Sequence, residues 1–453
     1  MITADLGARL AGIVRAAVAA GELPAGAATV RAAGTWRPAP PRSGGGPGTY
    51  ATSLPFILAG ATGGDPAALA GMLADRLAGA GLVRAVVTGG GYLTVTVSDQ
   101  VLAALAPRVA AAGPACAASD ALHGTVLAAA PGGDLAAAPG WQHAWQLVAA
   151  QASARLAERA GATITFDAER GPSPADPAPR RAGAEPGGPL RPGDGPGGSS
   201  GVGLAARDWP EQAHRGPADA GSPADGGDWP GERVGRGSAG SGSAADGGDR
   251  PGEQTGGGSA ESGSPANGGA RPGETAGGQS PVAAAVEWLG ADAVRYELAR
   301  TEASRAGKTG GQLLVSARVP AAFSTVRGAH ADAAGTLRWA AERGFGLGEP
   351  DAASADLLAG QAERELLAAI SWLPERVAGA ARRRRPAELT GYLEWLAGCW
   401  LDCQDACPAL PFRGGLAPRS RAGVAARLWL AAAAGTAMSA GLGLLGVAAP
   451  ERR

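Results

Sequence analysis

The densest cluster of positive charge in the chain is a run of four arginines, Arg382, Arg383, Arg384 and Arg385, directly before Pro386. Neighbouring guanidinium groups can neutralise several phosphates of a nucleic acid, and the resulting affinity falls as salt rises. The same run also suits a solvated helix end, where the helix dipole favours cations. Because the formal net charge of the whole chain is −1 at pH 7, any affinity for a polyanion must come from a local cluster.

Three cysteines could supply thiolates to a metal or form a redox pair. Cys399, Cys403 and Cys407 are four positions apart, which places them on one face of a predicted helix. No second cluster of ligands accompanies them in the sequence, and cysteine is among the residue types most often buried. We therefore predict core packing for these thiols and no metal site.

Lys308 lies in the glycine-rich segment Gly307–Gly311, which invites comparison with a phosphate-binding loop. The segment follows no predicted strand and lacks the spacing of a Walker motif. We therefore predict no phosphate-binding loop at this position.

Composition favours helices over sheets and limits the packed part of the chain. Glycine and proline account for 75 and 35 of the 453 residues, so part of the chain cannot be packed. Apolar residues make up 45% and aromatic residues only 4%, with alanine dominant, which favours helical packing. The chain starts without a basic-then-apolar leader, which predicts a cytoplasmic, reduced setting.

Residues 1–110 are predicted to form a small α/β unit. Asp65 is the expected N-cap of a helix that starts at Pro66, because proline suits the first helical position. The GGG tripeptide between two apolar runs marks a turn between strands. The predicted elements are a helix over Met1–Ala20, a helix from Pro66, and strands at Leu82–Val87 and Tyr92–Val97.

Residues 168–280 are of low complexity and carry an imperfect repeat. It includes Asp208-Trp209-Pro210 and Asp228-Trp229-Pro230, and its aspartates recur 20 and then 21 positions apart, up to Asp249. Such a Gly/Pro/Ser/Asp mixture has no apolar face to bury and cannot offset its ordering entropy. The segment is predicted to be a long disordered linker.

The C-terminal part is predicted to be a bundle of helices. Val282–Ala306 should be one helix with Trp288, Leu289, Val294 and Leu298 facing inward. Near the end of the chain, Leu428–Ala449 carries no charge over 22 residues, which is long enough to span a bilayer. Because most of it is alanine and glycine, we predict a buried core helix and no membrane segment.

Four C-terminal segments resemble, in order and separation, the anticodon-binding domain of arginyl-tRNA synthetases, known as the DALR type. The motif that gives this domain type its name, Asp-Ala-Leu-Arg, corresponds in this chain to Asp292-Ala293-Val294-Arg295, followed by Tyr296. The other segments are Ala322–Gly344, Tyr392–Leu410 and Leu442–Arg453. The resemblance implies a DALR-type domain over residues 282–453.

The N-terminal part is similar to the N-terminal additional domain of the same family over residues 1–110. The matching residues are Tyr50-Ala51-Thr52, Asp65-Pro66 and Gly89-Gly90-Gly91-Tyr92. In the family this domain touches the outer corner of the tRNA. The resemblance therefore implies a binding role for this part of the chain.

Residues 111–167 resemble the beginning of the family's nucleotide-binding domain, but without its catalytic groups. Ala136 and Pro139 stand where two histidines of the family stabilise the phosphates of ATP, and neither side chain can donate a hydrogen bond. His143 is interpreted as a packing or surface residue. The family's Lys-Met-Ser loop is also absent before residue 282, so no cofactor is expected, and ATP would be required only if the protein were an enzyme.

The sequence thus predicts a mainly α protein with a small N-terminal α/β domain, a disordered linker and a C-terminal helical bundle. The leading hypothesis is a tRNA-binding, arginyl-tRNA-synthetase-like protein without aminoacylation activity. The alternatives are an arginine–tRNA ligase and a bundle that binds another protein. Two family residues are replaced, a tyrosine by Gly328 and an arginine by Asp332. The candidate tRNA-binding residues are Arg295, Tyr296, Arg327, His330, Arg338, Arg382, Arg383, Arg384 and Arg385.

Overall fold

A computed structural model of the protein describes residues 2–30, 35–38, 46–78, 83–129, 132–166, 279–350, 353–410 and 420–450. The predicted linker over residues 168–280 lies outside the described residues, apart from its last two positions.

The N-terminal part contains an antiparallel sheet with the strand order β1-β2-β4-β3. Leu93, Val95 and Val97 alternate along β4 and are buried, as period-two patterning requires. Both predicted strands are confirmed, the first of them one residue later than expected. The other two were not predicted, because they are only three and four residues long. The strands are β1 (Trp36–Pro38), β2 (Thr49–Thr52), β3 (Val83–Thr88) and β4 (Tyr92–Val97).

Among the described residues, five α-helices accompany this sheet. The Asp65 carboxylate accepts a hydrogen bond from the Ala68 amide at 2.8 Å, which confirms the predicted cap. Gly91, in the turn between β3 and β4, has a φ of +134°, and a Cβ there would lie 2.8 Å from Pro66, so only glycine fits. The helices are α1 (Ile2–Ala19), α2 (Leu54–Thr62), α3 (Pro66–Ala78), α4 (Asp99–Ala103) and α5 (Leu105–Ala112).

A β-α-β unit follows the first sheet. Strand β5 (Val126–Ala129) pairs in parallel with β6 (Thr163–Phe166), and α6 (Trp141–Arg159) connects them. The Trp145 indole N–H donates to the carbonyl oxygen of Thr301 at 2.8 Å. Helix α6 therefore packs against C-terminal helices that follow it by more than a hundred residues.

The C-terminal part is a bundle of helices. The single helix predicted over Val282–Ala306 is wrong, because Gly290, with φ +85° and ψ 147°, separates two helices. Trp288, expected to face inward, is 52% exposed. The helices are α7 (Pro281–Leu289), α8 (Ala291–Arg300), α9 (Ala306–Ser316), α10 (Ala321–Glu342), α11 (Gln361–Ser371), α12 (Leu373–Arg383), α13 (Pro386–Ala406) and α14 (Arg421–Leu445).

Helix α14 is long and apolar enough to span a membrane, but 72% of its most apolar stretch of 18 residues is buried within the fold. It packs against α10, α13 and α5. Alanines and glycines allow this close approach, since a Cβ on Gly441 would lie 2.5 Å from Leu393. The prediction of a buried core helix is confirmed.

The described residues on either side of the predicted linker belong to one compact unit with a continuous core. Tyr50 of β2 is fully buried, its hydroxyl lies 2.7 Å from that of Ser371, and its ring is 5.1 Å from that of Trp372. Burial raises the pKa of Tyr50, so the phenol stays neutral. The N-terminal sheet and the C-terminal bundle therefore share buried contacts, while the predicted domain boundaries at 110, 167 and 282 stay a prediction.

The contact between α6 and α9 can be tested at two adjacent glycines. A Cβ on Gly310 would lie 2.0 Å from the Trp141 ring, whereas one on Gly311 would meet nothing within 4 Å. We expect Gly310→Ala to lower the free energy of unfolding by about 1–3 kcal/mol, because the indole must move. Gly311→Ala, the matched control, should raise it by up to about 1 kcal/mol through helix propensity. Urea denaturation measures both, and equal stabilisation by the two variants would contradict this packing.

Candidate nucleic-acid interface

His330, on α10, is packed within the fold. Its side chain is only 7% exposed, and Nδ1 donates to the carbonyl oxygen of Pro450 at 3.1 Å. The side chain also contributes to the lining of a cavity of about 560 Å³. The hydrogen bond gives His330 a structural role at the end of the chain, and the RNA contact predicted for it stays a prediction.

The two family residues replaced on α10 have clear local consequences. Asp332 accepts a hydrogen bond from the buried Trp400 indole at 3.2 Å, so the carboxylate satisfies a core donor. Gly328 and the exposed Arg327 both line an open cavity of about 520 Å³. The Arg327 guanidinium lies 5.8 Å from the centre of the Phe323 ring, and it remains accessible to a ligand.

Arg338 lies further along α10 in more acidic surroundings. The half-buried side chain lines a cavity of about 810 Å³ together with Asp332, Glu342 and Asp405. The cavity is lined by three carboxylates and one guanidinium, so its formal charge is negative and disfavours a phosphate. This end of α10 is therefore a poor surface for an RNA backbone.

Asp292 and Arg295, the two charged residues of the DALR-like motif, hold the chain that follows α14. Arg295 Nη1 donates to the carbonyl oxygen of Gly446 at 2.9 Å, and Asp292 Oδ2 accepts from the Ala448 amide at 3.1 Å. The two side chains are also 3.6 Å apart. Arg295, predicted to bind tRNA, thus has a structural role, and we call Asp292, Arg295 and His330 the tail clamp.

Arg155 of α6 adds a second cation to the same place. A Cβ on Gly446 would lie 2.3 Å from the Arg155 guanidinium, so the two residues are in close contact. Burial, and then the charge of Arg295, lower the pKa of Arg155. Both cations face the carbonyl end of the 25-residue helix α14, where the helix dipole stabilises positive charge. Nothing in the sequence signalled this role for Arg155.

Tyr296 has no exposed surface. Its hydroxyl donates to the carbonyl oxygen of Thr390 at 3.4 Å, and its ring lies 5.6 Å from that of Phe323. Burial, and then the charge of Glu394, raise the pKa of this phenol. Tyr296 is therefore part of the core, and the RNA contact predicted for it stays a prediction.

The four-arginine run forms the tight turn between α12 and α13, and all four residues are exposed. Arg384 ends α12 with a φ of +52°. Arg383 donates through Nε and Nη2 to both carboxylate oxygens of Glu388. Within the described part of the chain, Arg384 and Arg385 make no ion pair or side-chain hydrogen bond. Of the predicted site residues, these two and Arg327 are thus the exposed cations that have no ion pair among the described residues.

The three cysteines of α13 pack as predicted. Cys403 is buried, while Cys399 and Cys407 are half-buried. Burial first, and then nearby carboxylates, raise the pKa of Cys399 and of Cys403 to about 12. Protonated thiols are poor nucleophiles and poor metal ligands.

The segment compared with the nucleotide-binding motif is the loop between β5 and α6. Leu135 and Ala138 anchor it in the core, and the Asp134 carboxylate accepts from the Ala136 amide at 3.0 Å. His143 is exposed on α6, and Lys308 lies within helix α9 rather than in a loop. The loop therefore presents no side-chain donor at Ala136 or Pro139.

Residues 329–452 match the family model of the DALR anticodon binding domain. The helices from most of α10 to the end of α14 thus form a DALR anticodon-binding domain. The match begins after Asp292 and Arg295, which pack against its C-terminal end. About 37% of the chain aligns with arginine–tRNA ligases, and the protein is arginyl-tRNA-synthetase-like over that part.

The similarity is partial on both sides. The arginine–tRNA ligase of Micrococcus luteus is 41% identical over 169 residues, which is 37% of this chain and 30% of the ligase. The arginine–tRNA ligase of Paenarthrobacter aurescens is 39% identical over 167 residues, which is 37% of this chain and 29% of that ligase. Superposition on the solved structure of the Thermus thermophilus arginyl-tRNA synthetase covers 38% of this chain and 28% of the synthetase chain. The sequence identity is 26% and the TM-score is 0.27. The matched region thus spans less than a third of the length of these relatives.

The tail clamp predicts a stability effect for Arg295 rather than a binding effect. Arg295→Ala should lower the free energy of unfolding by about 1.5–3 kcal/mol, because a charge-assisted hydrogen bond to Gly446 is lost. Arg327→Ala, an exposed control on α10, should change it by less than about 0.5 kcal/mol. Chemical denaturation measures both, and an Arg295 variant of unchanged stability would contradict the clamp.

The raised thiol pKa values predict slow alkylation in the native state. With a pKa of about 12, the thiolate fraction of Cys399 and Cys403 at pH 8 is on the order of 10⁻⁴. Unfolded cysteine has a pKa of about 8.5, so iodoacetamide should label both thiols far faster in urea. Since the folded pKa is raised, the thiols' contribution to stability is present below pH 8.5 and is lost as pH rises towards 12. Rapid native labelling at pH 8 would contradict the assigned burial.

Proposed function

We propose that the protein binds tRNA through its DALR anticodon-binding domain and does not form arginyl-adenylate. The observation that carries the proposal is the match of residues 329–452 to that domain family, on a bundle whose helices are well packed. The proposed setting is the cytoplasm, where tRNA is charged and used.

Two features support a binding protein over a ligase. The loop between β5 and α6 has Ala136 and Pro139 where the family resemblance implies catalytic histidines, so it offers no side-chain donor to ATP phosphates. Strand β6 is then followed in the sequence by the Gly/Pro/Ser/Asp-rich repeats of residues 168–280, whose composition does not encode a packed catalytic domain.

Arginine–tRNA ligase activity is the second candidate, and the 41% identity to the Micrococcus luteus ligase favours it. It would require ATP as a substrate and groups that stabilise the leaving pyrophosphate. A third candidate, a bundle that binds another protein, is favoured by the acidic cavity around Asp332 and Glu342.

Pyrophosphate exchange distinguishes the first two candidates. The purified protein should show no arginine-dependent exchange of labelled pyrophosphate into ATP, because loss of even one preorganised donor typically costs 10²- to 10³-fold, about 3 kcal/mol. The Micrococcus luteus ligase is the positive control. Arginine-dependent exchange above background would establish the ligase candidate instead.

Binding of labelled total tRNA distinguishes the first and third candidates. We expect binding that weakens as salt rises, because arginine–phosphate contacts release counterions. A protein of the same net charge and no nucleic-acid function is the control. Absence of salt-dependent binding would favour a protein partner.

A further inference from the structure

Strand β3 is an open edge of the N-terminal sheet. The strand order β1-β2-β4-β3 gives it one neighbour, β4. Apart from that pairing and the turn into β4, no backbone hydrogen bond reaches Val83–Thr88 from the described residues. In an antiparallel pair, alternate residues direct their N–H and C=O groups away from the neighbouring strand, so about half of the backbone groups of β3 point out of the sheet. A further strand can bind there.

The opposite edge of the sheet is less suited to pairing. Strand β1 is only three residues long, and its last residue, Pro38, has no backbone N–H to donate. Short strands and prolines are devices that keep a sheet edge from pairing. By contrast, β3 has six residues and no proline. Strand β3 is therefore the edge of this sheet that can accept another strand.

Both faces of β3 carry exposed apolar side chains. Val86 is 43% exposed and Val87 is 37% exposed, although α3 packs against the strand. Neighbouring residues of a strand point to opposite faces. Val87 lies opposite the buried Leu93 of β4 and so belongs to the core face, whereas Val86 belongs to the other face. A strand added at this edge would cover apolar surface on both faces.

We propose that β3 pairs with β3 of a second copy of this chain, in antiparallel orientation about a two-fold axis at Val86. Two four-stranded sheets then join edge to edge into one continuous sheet. We call this contact the β3 pair. The inference goes beyond the proposed function and does not depend on tRNA binding.

The turn after β3 shows which backbone groups point outward. The Thr88 carbonyl oxygen accepts from the Gly91 amide within the turn, so Thr88 directs its backbone groups towards β4. Because the direction alternates along a strand, Val86 does the same, whereas Ala85 and Val87 direct theirs outward. Pairing between two copies must join these outward groups. A two-fold axis at Val86 does so, because it puts Ala85 of each copy opposite Val87 of the other.

The same axis brings compatible side chains together. On the core face Ala85 meets Val87, and on the other face Val86 meets Val86 of the second copy. Arg84, the one charged residue of β3, lies opposite Thr88, so the two arginines of the pair are kept apart. Apolar cross-strand pairs stabilise a sheet, and like charges directly opposite destabilise it.

A second copy fits this edge better than the other strands of the described chain. The occupant must be an extended segment of similar length with apolar side chains on both faces, and β1, β5 and β6 have only three or four residues. A net charge of −1 gives two copies little mutual repulsion. Strand pairing buries less than the roughly 1,200 Å² of a standard interface, so we expect a reversible dimer in the micromolar range.

Sedimentation velocity of the full chain, from micromolar to sub-millimolar concentration, tests the β3 pair. We expect the wild-type protein to shift from monomer to dimer as concentration rises. Val86→Lys places two ammonium groups opposite each other at the axis and should weaken the dimer by about tenfold or more. Val86→Thr, the matched control, keeps the β-branched shape and should weaken it far less. Urea denaturation checks that both variants fold.

Disulfide crosslinking tests the register. Two Val86 residues at the axis form a non-hydrogen-bonded pair with Cα atoms about 4.5 Å apart, which suits a disulfide. Val86→Cys should therefore give a covalent dimer under mild oxidation. Arg84→Cys, on the same face of the same strand, would put its two thiols roughly 13 Å apart and should stay uncrosslinked. Arg37→Cys, exposed on β1 at the opposite edge, is the second control, and the native cysteines are buried or half-buried.

Three results would overturn the β3 pair. The first is a protein that stays monomeric at every concentration. The second is a dimer that Val86→Lys leaves as stable as the wild type, because the two copies would then meet elsewhere. The third is crosslinking of Arg84→Cys or Arg37→Cys as fast as that of Val86→Cys. A dimer that Val86→Lys dissociates and Val86→Cys locks would support it.

Discussion

The fold depends on how the carbonyl end of α14 is satisfied. This helix runs through the core and is buried along most of its length, so its last carbonyl groups have little access to water and need partners in the protein. The amides of Gly446 and Val447 donate to the carbonyl oxygens of Gly443 and Leu442 in the last turn. Arg295 donates to the Gly446 carbonyl oxygen, Asp292 accepts from the Ala448 amide, and Arg155 packs against Gly446. Because α10, α13 and α5 all pack against α14, the position of this helix end fixes the frame on which the other helices are arranged.

This constraint explains why the most recognisable residues are not the most available ones. Asp292, Arg295, Tyr296 and His330 carry the family resemblance, yet each is bound to another part of the fold. Two proteins can share motif residues because those residues pack alike in both bundles, as readily as because both bind the same ligand. Of the predicted tRNA-binding residues, the exposed ones are Arg327 on α10 and the four arginines at the turn between α12 and α13.

The continuous core gives the N-terminal residues a second role. Helix α6, which resembles a piece of a nucleotide-binding fold, covers the bundle through Trp141 and Trp145, and it supplies Arg155 to the end of α14. These contacts give α6 a structural role in the bundle, whatever the loop before it does.

The sequence by itself determined the local features: the helical majority, the Asp65 cap, strands β3 and β4, the core helix α14 and the resemblance to an anticodon-binding domain. Periodicity and capping depend on neighbouring residues, so they can be read from the chain. It did not show the long-range contacts, such as those that enclose Tyr296 in the core. Only the tertiary structure brought Arg155 to Gly446 and Tyr50 to Ser371, because these pairs are hundreds of residues apart and no spacing rule relates them.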